Sequence, residues 1–256
     1  MKLGGRDVEE LNVNSGSEKL IVNLDEDSNA AKMGFFQRVI GVIVSPSETM
    51  KDLIAKPRVL FATLLTALSM LGLYLIRFQM YKDFMKTTME LTLANSNKQL
   101  TPEQIQSAMP ITVITGLIGT PIGSVLAWIV GAAILFGLIK LFKGEGKFKQ
   151  YLAITGYAYV IMFLYILLSA IVSFFSGSLL LDSSVTNITN LFLPDLKGTY
   201  VYGVLRGIDF FTIWHYIVIG IGITLVSKLS KPKVYSIILI IYIASILIGA
   251  NNLKLM

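Results

Sequence analysis

The chain predicts an all-α fold: a polytopic transmembrane helix bundle with five spans, preceded by short cytoplasmic interfacial helices before the first span. Three observations carry that prediction. Five long apolar stretches run roughly Val59 to Met80, Gly116 to Phe142, Tyr151 to Phe175, Asp209 to Val226 and Val234 to Gly249. Each is near the roughly 20 residues with which a helix crosses a hydrocarbon layer of about 30 Å. No Asp, Glu, Lys, Arg or His lies between Val59 and Ile76, Ile111 and Ile139, or Gln150 and Leu181, and soluble core helices rarely run uncharged so long. Finally, lysine gathers at alternate gaps. A hydrophobic content of 54% agrees with a lipid environment rather than an ordinary soluble domain.

The first 33 residues carry Asp7, Glu9, Glu10, Glu18, Asp25, Glu26 and Asp27 with few large apolar side chains. They predict a disordered, acidic cytoplasmic tail, either a solvated leader or a docking segment. Nothing before Gly34 is apolar enough for a signal-peptide core, so the first span is expected to direct insertion. From Gly34, Phe36, Ile40, Ile43 and Val44 fall at helical spacing beside Gln37 and Arg38. Ser45-Pro46-Ser47-Glu48 then opens a second short helix, with serine as cap, proline in the first turn and glutamate closing a capping box. Its stripe is Met50, Leu53 and Ile54, and Pro57 stops it. Lys51, Lys56 and Arg58 suit anionic headgroups, whether the helix lies on the membrane or packs under the bundle.

Beyond the first span the helix is expected to continue outward through Lys82, Asp83 and Lys86, with a break at Asn95-Ser96-Asn97. Thr101-Pro102-Glu103-Gln104 opens another short helix by the same capping logic. Ile111 to Phe142 is too long for one upright crossing and too short for two. Proline removes a helix hydrogen bond, so Pro121 predicts a short outer segment before Thr120 and the crossing after it. Gly119, Gly123, Ala127 and Gly131 recur every fourth residue, a helix-packing face that lets another backbone approach closely. Ser176 to Gly207 reads as a polar, turn-rich loop, and Asn187-Ile188-Thr189 fits a glycosylation acceptor.

Orientation follows from the basic residues of short loops. Lys51, Lys56 and Arg58 precede the first span; Lys140, Lys143, Lys147 and Lys149 lie between the second and third; Lys228, Lys231 and Lys233 lie between the fourth and fifth. These loops are expected in the cytoplasm. The N-terminus is then inside, and residues 251–256 form a short extracytoplasmic tail of a multi-pass cell-membrane protein whose membrane domain spans residues 34–250. The net charge of +6 flanks the spans and does not suggest nucleic acid.

The chain offers little for chemistry. It has no cysteine and a single histidine, His215, which cannot build a zinc site alone. Carboxylates are absent from the membrane interior, with Asp209 at the edge of the fourth span. There is neither a GxSx-type nucleophile setting nor a GxxxxGK[ST] nucleotide loop. No catalytic residue and no cofactor is expected.

Three segments carry a family resemblance: VIGVIVSPSETMKDL from Val39 to Leu53, LFKGEGKFKQYLAITGYAY from Leu141 to Tyr159, and IDFFTIWHYIVIGIGI from Ile208 to Ile223. In order and spacing they resemble the Ypt-interacting-protein (YIP) family in its bacterial branch. The resemblance implies five crossings with a cytoplasmic N-terminus. For eukaryotic members it implies adaptors of Rab-type GTPases, and for bacterial ones accessory roles beside ABC exporters in envelope stress. A DLYGP-like element before the spans is missing, so the bacterial role is the implied one.

Two functions remain open. The first is a non-enzymatic scaffold or accessory subunit that binds a membrane-protein partner or anionic lipid through Ser45, Pro46, Glu48, Lys51, Lys56, Arg58, Lys143, Lys147 and Lys149. The second is a small-molecule permease with a pathway near Pro121, Asp209 and His215, since broken helices and buried polar groups mark transporters. On the first reading His215 is a hydrogen-bonded histidine of the bundle, and Arg77 or Arg206 ties to Asp209 at the membrane edge.

Overall fold

The computed structural model describes residues 33–95, 101–177, 179, 186 and 199–254. The acidic tail, apart from Met33, and the Asn187-Ile188-Thr189 triplet lie outside them. Among the described residues the chain is built of helices: α1 (Phe35–Val44), α2 (Pro46–Ala55), α3 (Leu60–Ile76), α4 (Phe78–Asn95), α5 (Pro102–Leu141), α6 (Phe148–Ser176), α7 (Tyr200–Arg206), α8 (Phe210–Ser227) and α9 (Lys231–Lys254). α5, α6, α8 and α9 are each long and apolar enough to cross a bilayer, and α3 with α4 makes a bent pair that brings the total to as many as five spans. The predicted polytopic all-α bundle is the fold observed.

α6 is the hub. It packs against α3, α5 and α8 along its length, and α1 and α2 close over its first turns. Small residues make these approaches possible. A Cβ on Gly156 of α6 would collide with Ala62 of α3 and approach Trp128 Cζ2 of α5 to 2.8 Å, and one on Gly222 of α8 would reach Met50 Sδ of α2 at 3.0 Å. The resulting core contains Val42, Met50, Leu53, Ile139, Tyr151, Ile154, Ile161 and Ile223, all buried. At the opposite end a second cluster gathers Leu73, Tyr74, Tyr81, Val113 and Ile166, fixed by the Tyr81 hydroxyl donating to Val113 O at 3.1 Å.

The outward face of α5 explains why so apolar a chain folds in lipid. Ile114, Ile118, Ile122, Leu126, Val130 and Ile134 recur every fourth residue and all are exposed. In water such a row would be an aggregation surface, whereas acyl chains solvate it without cost.

Several expectations are corrected. Pro121 does not break its segment, because α5 runs unbroken through Pro110 and Pro121 for 40 residues, about 60 Å. A proline forfeits one hydrogen bond, but ending a helix in an apolar medium orphans up to four donors and four acceptors, so continuity is favoured. The helix does not continue outward past the first span either. α3 ends at Ile76 and α4 leaves at 100°. The corner residue Arg77 donates from Nη2 to Ser173 O at 2.9 Å and lies over the Phe174 ring at 4.2 Å, contacts that hold the chain in its bend.

The Ser176 to Gly207 stretch is not all loop, because Thr199 caps α7, its hydroxyl accepting from Tyr202 N at 3.1 Å. Gly203 and Gly207 let α7 lie directly on Ala250 and Ile246 of α9. α9 itself continues through Lys254, into the expected C-terminal tail. Thr101 and Gln104 do form the predicted capping box, with reciprocal bonds of 2.9 and 3.3 Å.

Candidate functional site

The predicted partner-binding residues converge on one end of the bundle, built by α1, α2 and the turns α5–α6 and α8–α9. α1 presents opposite faces: Arg38, Gly41 and Val42 are buried, while Phe36, Ile40 and Val44 form an exposed apolar row. α2 starts at Pro46 as expected, yet the capping box of Ser45 and Glu48 is not made. Ser45 makes no side-chain cap; its carbonyl instead accepts from the Thr49 hydroxyl at 3.1 Å and Thr49 N at 3.2 Å. The helix stops at Ala55, one turn before the exposed Arg58, with Lys51 and Lys56 also exposed.

α1 and α2 are joined by a buried ion pair, Arg38 to Asp52, whose residues are only 1% and 4% exposed. Asp52 Oδ1 also accepts from Met33 N at 3.3 Å. Periodicity alone did not disclose this pair. The signal was a cation inside an apolar stripe and an acid fourteen positions on, each useful only against the other.

The α5–α6 turn is a folded element. Lys143 adopts a left-handed backbone (φ 62°), and Gly144 N donates to Ile139 O at 2.9 Å. Glu145 N donates to Ser227 O at 2.9 Å, Glu145 Oε2 pairs with Lys228 Nζ at 2.7 Å, and the Tyr151 hydroxyl donates to Glu145 O at 2.7 Å. Lys228 also takes a left-handed backbone (φ 56°). Each turn thus places lysine at the carbonyl end of a helix, where a cation is favoured. Gln150 closes the assembly: its Oε1 accepts from Lys147 N at 2.7 Å and its Nε2 donates to Ile54 O at 2.9 Å. Lys143, Lys147 and Lys149 therefore stand exposed on a framework clamped to α2 and α8.

Replacing Gln150 by alanine is expected to cost about 2 kcal/mol, since it removes two bonds each worth about 1 kcal/mol. Faster amide exchange at the end of α2 and in the first turn of α6, with the rest of α6 unchanged, is the measurement that checks it.

The remaining predicted residues do not form one site. Asp209 caps α8, Oδ1 accepting from Thr212 N at 3.0 Å, while its other oxygen accepts from the Thr186 hydroxyl. Arg77 is committed to Ser173 and Phe174. Pro121 sits half-buried in α5. His215 alone of the three pathway candidates lines the bundle's half-open cavity, a space of about 350 Å³ among α3, α5, α6, α8 and α9. The predicted helix-packing row Gly119, Gly123, Ala127 and Gly131 meets no helix of this chain: all four residues are exposed, and a Cβ on any of the three glycines would have no neighbour within 4 Å. Its two later members, Ala127 and Gly131, border the mouth of the cavity that holds His215.

A family profile, the Yip1 domain, matches residues 40–250. Membrane protein YknW of Bacillus subtilis is 25% identical over 193 residues, 75% of this chain and 80% of that protein. An uncharacterized protein of Methanocaldococcus jannaschii is 41% identical over 59 residues, 23% of this chain, and the match spans only 42% of that protein. No solved structure matches the chain.

Proposed function

The chain belongs to the Yip1 domain family and is a multi-pass membrane protein, and from that premise we propose that it is a non-enzymatic scaffold or accessory subunit. Its α1–α2 end faces the cytoplasm, engages anionic headgroups, and presents a surface to a membrane-protein partner. An ABC exporter is the class that the bacterial branch of the family implies.

One observation carries this reading. Three separate basic segments, ending in Arg58, Lys149 and Lys233, are brought to the same end by a core that packs α2 against α6 and α8. The exposed row Phe36, Ile40 and Val44 beside them has the makeup of an interfacial helix face. A cation near an anionic surface contributes about 1 kcal/mol. Loops of like charge at one end of a bundle also agree with a cytoplasmic location.

In nanodiscs, the double change Lys147→Gln with Lys149→Gln is expected to remove roughly 2 kcal/mol of the preference for phosphatidylglycerol over phosphatidylcholine. Thermal midpoints in the two lipids measure it. An unchanged preference, together with affinity capture that returns the bare protein, removes the support for this reading.

The permease reading is favoured by the half-open cavity that His215 lines. Proteoliposome flux that is lost in His215→Ala would move the assignment there.

A further inference from the structure

The half-open cavity beside His215 plays no part in the scaffold reading, and its chemistry is specific. Its lining contains no Asp, Glu, Lys or Arg. Three of its seven polar side chains are already occupied: Trp128 Nε1 donates to Thr155 Oγ1 at 3.0 Å, Thr155 Oγ1 donates to Tyr151 O at 2.9 Å, and Thr66 Oγ1 donates to Ala62 O at 2.8 Å.

Ser124, Tyr159, Tyr216 and the Nε2 side of His215 differ, and of these only His215 Nε2 can accept but not donate. His215 Nδ1 lies 3.0 Å from Ala158 O. A carbonyl can only accept, so Nδ1 carries the hydrogen, and in the neutral ring Nε2 is left as an acceptor. Tyr159 meets this ring edge-on, with centroids 6.3 Å apart. Among the described residues neither His215 Nε2 nor the Tyr159 hydroxyl has a hydrogen-bond partner, and both side chains line the cavity. The opposite wall includes Ala127 and Gly131, where a larger side chain would fill the space.

We infer that this cavity is a binding site for an uncharged amphiphile, an aliphatic chain whose hydroxyl donates to His215 Nε2. A volume of about 350 Å³ falls within the range of roughly 300–1,000 Å³ typical of small-molecule sites. Its apolar walls suit the chain. A charged headgroup would find no counter-ion there and is selected against. The hydroxyl is selected because His215 Nε2 has no protein donor, and an acceptor that faces acyl chains is costly to leave unpaired. The site rests on neither reading above, since a resident ligand requires no partner and no path through the membrane.

The chain's two tryptophans supply a reporter. Trp128 lines the cavity and Trp214 does not, so Trp214→Phe leaves Trp128 as the only indole. Titrated in nanodiscs with ω-bromoundecanol, this variant is expected to show saturable quenching that unbrominated undecanol reverses. Bromoundecane and ω-bromoundecanoate should bind at least roughly tenfold more weakly, and adding His215→Phe should raise the half-saturating alcohol concentration roughly tenfold, the upper worth of one hydrogen bond. Gly131→Leu, introduced where no neighbour obstructs it, should abolish saturation by filling the cavity, and it decides the matter if the histidine variant does not fold. Quenching that rises with lipid-phase concentration without saturating, equal binding of the three probes, or full binding in Gly131→Leu overturns the proposal.

Discussion

Replacing Asp52 by leucine is expected to destabilise the detergent-solubilised protein by about 3–5 kcal/mol, the usual result of removing one partner from a buried ion pair. The cost is that of the charge left behind. Arg38 is 1% exposed, and two of its guanidinium nitrogens, Nε and Nη1, already lack hydrogen-bond partners among the described residues. Without the carboxylate nothing offsets its desolvation. Arg38→Met alone is expected to cost less than Asp52→Leu, because a buried carboxylate can neutralise by taking a proton and an arginine cannot shed one. The double variant, Arg38→Met with Asp52→Leu, should recover most of the loss, since apolar side chains of similar size often replace buried pairs without penalty. Unfolding midpoints of the four proteins complete a double-mutant cycle. A loss under about 1 kcal/mol for Asp52→Leu would mean that water or lipid headgroups reach the pair. The same variants bear on function, because the pair holds α1, with its exposed Phe36, Ile40 and Val44, against the lysine-bearing framework.

What could be read from the chain and what could not divides along a physical line. Apolar length and charge at the flanks are local properties, so the spans, the two short leading helices and the Thr101 cap were all legible. Helix breaks were misjudged in both directions. Pro121 carries the sequence mark of a break and makes none, because the surrounding medium penalises exposed backbone more than a missing bond. Arg77 carries no mark, yet the chain turns there through contacts with Ser173 and Phe174, residues nearly a hundred positions away. The site divides likewise. Lysine clustering was visible, but the clamp made by Glu145, Tyr151 and Gln150 needs three elements brought together. The Ser45 box failed because the Ser45 N–H, which Glu48 would have to reach, already donates to Gly41 O at the end of α1.

Glycine spacing illustrates the limit most sharply, and it yields the second large effect. The every-fourth-residue row at Gly119, Gly123 and Gly131 looks like a packing face, yet close approaches between helices of this chain occur at other glycines, among them Gly116, Gly156, Gly203, Gly207, Gly220 and Gly222. A repeat tells which residues share a helix side, but not what lies opposite. Gly156→Leu is therefore expected to cost about 3 kcal/mol or more, at or beyond the top of the usual overpacking range. The added side chain meets Ala62 on one neighbouring helix and the Trp128 indole on another, and that indole is pinned by its bond to Thr155. Neither can retreat without separating α3 or α5 from α6. Gly123→Leu, exposed and without a neighbour in the chain, should leave monomer stability within about 0.5 kcal/mol. Denaturation midpoints in detergent, measured at a protein concentration where the chain is monomeric, compare the two. Equal losses would place another helix against Gly123. A tolerant Gly156 would mean that α3, α5 and α6 do not meet as closely as this packing requires.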